Sequence, residues 1–166
     1  MPEKIVTQKA LCYVVRNGLL LVFRHTNCSY EEVGVQVPGG TIRPGEAPEN
    51  AALREAREET ALTDFRVVRK LGESEYDISP HRFEIQRRHI FLMELLEPTP
   101  LRWSSREDHD GTQPPTPFEC FWVPLTAGHV HGASSPARQP LSDQRNLGDV
   151  LVWARSHSRR TGASPR

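Results

Sequence analysis

From Gly39 to Leu62 the chain reads GGTIRPGEAPENAALREAREETAL, a glycine-rich loop that runs straight into a helical stretch. No other segment limits the possible folds so strongly. Pro48 suits the first turn of a helix, and ENAALREAREET after it contains no glycine or proline. On that helix Glu55, Glu58 and Glu59 stand at i, i+3 and i+4, so three carboxylates share one face. Like charges at that spacing repel by a few tenths of a kcal/mol per pair. A hard divalent cation with oxygen ligands removes the repulsion, and magnesium suits such a site, with manganese as a substitute. Arg54 reaches Glu58 at i+4 and offsets charge. Alone, REAREE would read as a solvated acidic face. The preceding Pro38-Gly39-Gly40 favours a site instead, because glycines let the backbone come close to a ligand.

Upstream, Ile5 to His25 gives two β-rich runs, KIVTQKALCYVVR and LLLVFRH, separated by Asn17-Gly18, a strong hairpin signal. The runs are apolar through most of their length, as in strands of a sheet covered on both faces. Downstream, Phe65 to Leu71 and Phe83 to Glu97 are further strands, joined by a polar stretch holding Gly72 and Pro80. Pro98 to Pro117 carries Pro98, Pro100, Pro114, Pro115 and Pro117 around the acidic run REDHDG and reads as a long functional or flexible loop. A short strand resumes over Phe118 to Leu125. The stretch from Thr126 to Pro140 is loop-like, and SDQRNLGDVLVWARS is helical by the spacing of Leu147, Val150, Leu151 and Ala154, with Ser142 as cap.

The 166 residues fit one domain, expected over 1–158, with RRTGASPR (159–166) as a disordered tail. Lysine plus arginine equals aspartate plus glutamate at 21 each, which gives no field for DNA or an anionic membrane. Any phosphate recognition must then be local or metal-assisted. Cys12, Cys28 and Cys120 are too widely spaced for a zinc site and are expected as reduced thiols. The start lacks a secretion signal and no apolar run is long enough to span a bilayer, so the expected location is the cytoplasm.

The stretch from Gly40 to Leu62 resembles the Nudix signature: glycine, five residues, glutamate, seven residues, then REUXEEXGU with U aliphatic. Gly40, Glu46, Arg54, Glu55, Glu58 and Glu59 fall in place; Ala56 is a small member of the aliphatic set, and Ala61 replaces the usual glycine. Glycine there lets the chain leave the helix in a left-handed conformation, which alanine adopts at about 1 kcal/mol, so the expectation is a changed helix exit or a small stability penalty, without loss of activity. The resemblance implies an α/β/α sandwich with a mixed β-sheet between helices. It implies a magnesium-dependent hydrolase that cleaves a diphosphate linkage in a nucleoside diphosphate joined to another moiety, or in a related nucleotide. The implied metal ligands are the Gly40 carbonyl, Glu55, Glu58 and Glu59, with Glu58 or Glu59 helping to activate water, while Glu46 and Arg54 hold loop and helix together. The partner is a small nucleotide, and a homodimer is frequent among relatives.

Some members take a general base from six residues before the tryptophan of the strand that here reads FWVPL. Counted back from Trp122 that position is Thr116, which cannot act as a base at neutral pH. The candidates left are Glu107, Asp108, Asp110 and Glu119, each of which has a plain reading as a solvated acid. For substrate, Gly39 offers backbone, and Arg24, Arg43, Arg87 and Arg88 offer guanidinium forks matching phosphate, although strand arginines are mostly solvated. Tyr30, Tyr76, Phe83 and Trp103 suit base stacking but equally a core. His81, His89, His129 and His131 lack a third metal ligand and read as loop residues. A competing function is a Nudix-fold sensor that binds a nucleotide without cleaving it. The three intact box glutamates argue against that reading and the missing base at 116 argues for it.

Overall fold

The computed structural model describes residues 2–29 and 34–125. Strand β1 (Ile5–Arg16) turns at Asn17-Gly18 into β2 (Leu19–His25), with Arg16 opposite Leu19. Both turn residues have positive φ, 50° and 74°, as a two-residue hairpin requires. The strand pair expected from the sequence is therefore present, but it separates early. Toward its start β1 pairs instead with the short β3 (Gly39–Thr41), Ala10 lying opposite Gly40. Strand β2 continues alongside β7 (Thr116–Pro124).

The remaining strands are β4 (Phe65–Asp77), β5 (Glu84–Leu95) and β6 (Arg102–Glu107). The sheet runs β4-β5-β1-β2-β7-β6, with β3 beside β1. It is mixed: β1 and β5 are parallel, and the other pairings are antiparallel. Strand β4 extends past Leu71 because its pairing with β5 absorbs two register shifts, the second next to Gly72. The proline-rich stretch after Glu97 is not all loop. Its prolines flank Arg102–Glu107, leaving six residues free to pair with β7, and a 3₁₀ turn over His109–Gly111 closes the β6–β7 hairpin.

Helix α1 (Pro48–Thr60) begins with proline in its first turn, as expected. It lays Ala51, Ala52 and Ala56 on the sheet face formed by Cys12, Val14, Phe23, Phe91, Met93 and Cys120. Alanine's small side chain lets helix and sheet approach closely. The opposite face carries Leu11, Val15, Leu20, Val22, Ile90 and Leu92, also buried. Each fully buried leucine, valine or phenylalanine contributes about 1.5–3 kcal/mol. The helix ends at Ala61, whose φ of 60° keeps the left-handed exit, so the exit is not changed by alanine, and its N–H donates to the Arg57 carbonyl at 3.0 Å. Among the described residues no helix is long and apolar enough to cross a membrane. The helix expected over SDQRNLGDVLVWARS, the loop from Thr126 to Pro140, the tail, Tyr30, His129 and His131 lie outside the described residues.

Candidate active site

Where β1 exchanges β2 for β3 as its neighbour, the sheet forks, and α1 lies across the fork. Glu59 is buried there, one oxygen accepting the Gly39 N–H at 2.8 Å. Burial raises its pKa well above the ordinary 4.5, and neighbouring carboxylates add to the rise. One turn back, the Glu55 carboxyl lies against Gly40: a Cβ on that glycine would fall 2.3–2.5 Å from its atoms. A Cβ on Gly39 would lie 2.4 Å from the Ala10 carbonyl oxygen. Both glycines are therefore required by close approach. Burial also raises the Glu55 pKa, opposed by its hydrogen bond to Arg54.

Arg54 ties the loop to the helix. Its Nε and Nη2 donate to the two oxygens of Glu46, each at 2.8 Å, and Nη2 also donates to the Thr41 carbonyl at 3.0 Å. Nη1 donates to Glu55 at 2.6 Å and Glu58 at 3.2 Å. All five guanidinium hydrogens are used. The bidentate bond holds the Glu46 pKa down at about 2, and the Glu46 bond likewise raises the pKa of Arg54.

A further carboxylate comes from β6. Trp103 Nε1 donates to the Thr60 carbonyl at 2.9 Å, and Ser105 Oγ donates to the Glu59 carbonyl. Strand alternation then carries Glu107 to the same face, beside α1. One carboxylate oxygen from each of Glu55, Glu58 and Glu107 lies within 4.8 Å of the others. Oxygens bound to one ion at about 2.1–2.5 Å lie up to about 4–5 Å apart, so this trio fits a hard divalent cation. Burial raises the Glu107 pKa, with His109 opposing. His109 stands with Nδ1 at 3.4 Å from Glu107 and Nε2 at 2.7 Å from the Thr116 hydroxyl. Glu59, expected among the ligands, is outside the trio, and Glu107 stands in it.

The structure does not bring Arg24, Arg88 or Glu119 to this cleft. On β2, β5 and β7 they alternate with Phe23, Phe91 and Cys120 of the α1 face, so they point to the other side of the sheet. Arg24 and Glu119 pair with each other at 2.6 Å, and Glu119 also bonds Arg102. Arg88 is buried, hydrogen-bonded to Gln86 and stacked 4.6 Å from the Tyr76 ring. Arg87 pairs with Glu75, Asp108 with Arg106, and Asp110 with Arg43. Trp103 is fixed under the helix end, Phe83 lies under Lys4, and His89 bonds Gln8. Lys9, His25 and Gln36 line the cleft although no local pattern marks them.

The family model for the NUDIX domain matches residues 7–144. The chain belongs to the Nudix family. This Nudix domain is similar in fold to a UDP-X diphosphatase structure, with TM-score 0.62 and 14% identity over 92% of this chain and 66% of that one. It is likewise similar to a MutT Nudix hydrolase from Burkholderia pseudomallei, with TM-score 0.57 and 19% identity over 87% and 98% of the two chains. A MutT protein from Methanosarcina mazei Go1 gives TM-score 0.58 and 15% identity over 93% and 99%. In this Nudix domain the signature residues Gly40, Glu46, Arg54, Glu55 and Glu58 form one connected group through the contacts above, and Glu59 joins it through the N–H of the adjacent Gly39.

Proposed function

We propose that this chain is a magnesium-dependent hydrolase of a phosphoanhydride bond in a nucleoside diphosphate joined to a second moiety, or in a related nucleotide. The observation that supports this most is the trio Glu55, Glu58 and Glu107, three carboxylates from helix and strand able to meet one ion at the floor of the cleft. The cleft, about 910 Å³, is of a size that holds a nucleotide. Magnesium, when bound, lowers the pKa of water and neutralises phosphate oxygens.

The chain's own residues supply the rest. Arg54 fixes Glu55 and Glu58 relative to the loop, which preorganises the ligands. Glu59 fixes the Gly39 amide and keeps β3 against the helix. Glu107, brought beside Glu55 and Glu58 by β6, takes the proton from the attacking water at the carboxylate oxygen it does not present to the ion, because it is the acid outside the helix that meets those two in the cleft. The three cysteines are free thiols, Cys12 and Cys120 buried, which suits the reducing cytoplasm.

The test is magnesium-dependent release of phosphate or nucleotide from a panel of nucleoside diphosphate derivatives, nucleoside triphosphates and dinucleoside polyphosphates, run beside Glu58→Gln. Turnover by the wild type, lost in Glu58→Gln, is expected. Tight nucleotide binding with no turnover across the panel would mean a sensor and overturn the proposal.

A further inference from the structure

Three arginines line the cleft, and one is fully committed. Arg54 has used its five hydrogens on Glu46, Glu55, Glu58 and Thr41. Arg106 pairs through Nε with Asp108 at 3.0 Å, and on β6 it alternates with Ser105 and Glu107, so it leaves the sheet on the side away from α1. Arg43, on the loop between β3 and α1, is different. It is about half exposed and reaches Asp110 at 3.3 Å and Glu58 at 3.8 Å through Nη2 alone. Among the described residues its Nε and Nη1 have no partner. Its backbone is firmly placed, with N–H donating to Glu46 and carbonyl accepting from the Glu46 N–H, each at 3.0 Å.

Asp110 is held toward Arg43 by a turn with unusual backbone. His109, Asp110 and Gly111 have φ of 49°, 53° and 76° in succession, and the first two are not glycine. Such residues persist only where surrounding bonds over-determine them. Here Thr112 Oγ1 donates to the His109 carbonyl at 2.6 Å, Gly111 N–H donates to the Asp108 carbonyl at 2.9 Å, and the His109 ring is bonded to Thr116. A turn with these constraints places a carboxylate across the cleft mouth from a guanidinium beside the metal-binding trio.

We propose that Arg43 is the residue that positions the substrate's diphosphate, and that its ion pair with Asp110 is a latch that the diphosphate displaces. This rests on the hydrolase reading above and adds the group that receives the phosphates. Asp110 keeps the guanidinium over the cleft before substrate arrives. A phosphate then offers Arg43 a bidentate partner that a single carboxylate contact at 3.3 Å does not. Because the latch must be broken, Asp110 weakens binding while it preorganises Arg43.

The probe is inorganic pyrophosphate, titrated calorimetrically in magnesium into wild type, Arg43→Gln, Arg43→Lys, Asp110→Asn and the double variant, each first shown to keep the wild-type melting curve. Arg43→Gln should weaken binding about tenfold or more, the loss typical of a charged hydrogen bond. Arg43→Lys, which keeps charge but not the fork, should fall between. Asp110→Asn should tighten binding about two- to fivefold, the range of an exposed ion pair, and the double variant should match Arg43→Gln. With the panel substrate, the same changes should appear in KM more than in kcat. Unchanged pyrophosphate affinity in Arg43→Gln, or weakening in Asp110→Asn, overturns the latch while leaving the hydrolase reading intact. Arg43-dependent binding without any turnover overturns the hydrolase reading and leaves the latch.

Discussion

Gly40→Ala isolates the contact between loop and helix. The added Cβ would lie 2.4 Å from a Glu55 carboxylate oxygen, against an ordinary carbon–oxygen approach of about 3.4 Å, so the carboxylate must withdraw by about 1 Å. The backbone at Gly40 does not have positive φ, so alanine is conformationally allowed, and the three atoms nearest its Cβ all belong to the Glu55 carboxylate. Glu55 is buried and held at 2.6 Å by Arg54, so withdrawal disturbs that bond and takes an oxygen out of the trio. A displacement of about 1 Å in a positioned group lowers rate by about 100-fold. Overpacking of this kind costs about 1–3 kcal/mol, and each kcal/mol lowers Tm by about 2–4 °C in a chain of this size. The measurement is kcat/KM across a magnesium titration, beside thermal melts showing the variant folded at the assay temperature. A drop near 100-fold with a raised magnesium midpoint is expected. Wild-type kcat/KM and midpoint would refute the claim that Gly40 exists to admit the Glu55 carboxylate.

Glu107→Gln should lower kcat about 100-fold or more, whereas Glu119→Gln, on the other face of the sheet, should leave turnover near wild type; equal losses in steady-state assays would reverse the assignment. Ala61→Gly relieves a left-handed alanine and should stabilise by about 1 kcal/mol, raising Tm by about 2–4 °C in calorimetry with turnover unchanged. Glu46 has its pKa lowered from 4.5 to about 2, so its contribution to stability is present above pH 4.5 and is lost as pH falls toward 2. In Glu46→Gln the loss of Tm over that acid window should be shallower, and an unchanged slope would argue against the Arg54 pairing.

The helix and its carboxylate face were legible because each depends on spacing within a dozen residues: Pro48 at the start, and Glu55, Glu58 and Glu59 on one face. The Asn17-Gly18 hairpin was legible for the same reason. What sequence spacing could not supply was which acid from a distant strand meets the helix. Glu107 and Glu119 look alike locally, and only the bonds of Trp103 and Ser105 to the end of α1 separate them. A parity count offers a partial signal, since Glu119 lies between Phe118 and Cys120, both buried, and so must face away from them. Alternation with Phe23 and Phe91 likewise removes Arg24 and Arg88. Strand β6 was hidden by the prolines around it, because its pairing with β7 is tertiary and has no local mark. Lys9, His25 and Gln36 join the cleft only through the fork between β2 and β3.

The most direct test of the site is manganese binding, followed by calorimetry, in the wild type and in Glu55→Gln, Glu58→Gln and Glu107→Gln. The wild type should bind the ion, and each variant should lose about tenfold or more in affinity, because each removes an oxygen from the same trio. Equal affinity in all four proteins would contradict a divalent-ion site built from these carboxylates.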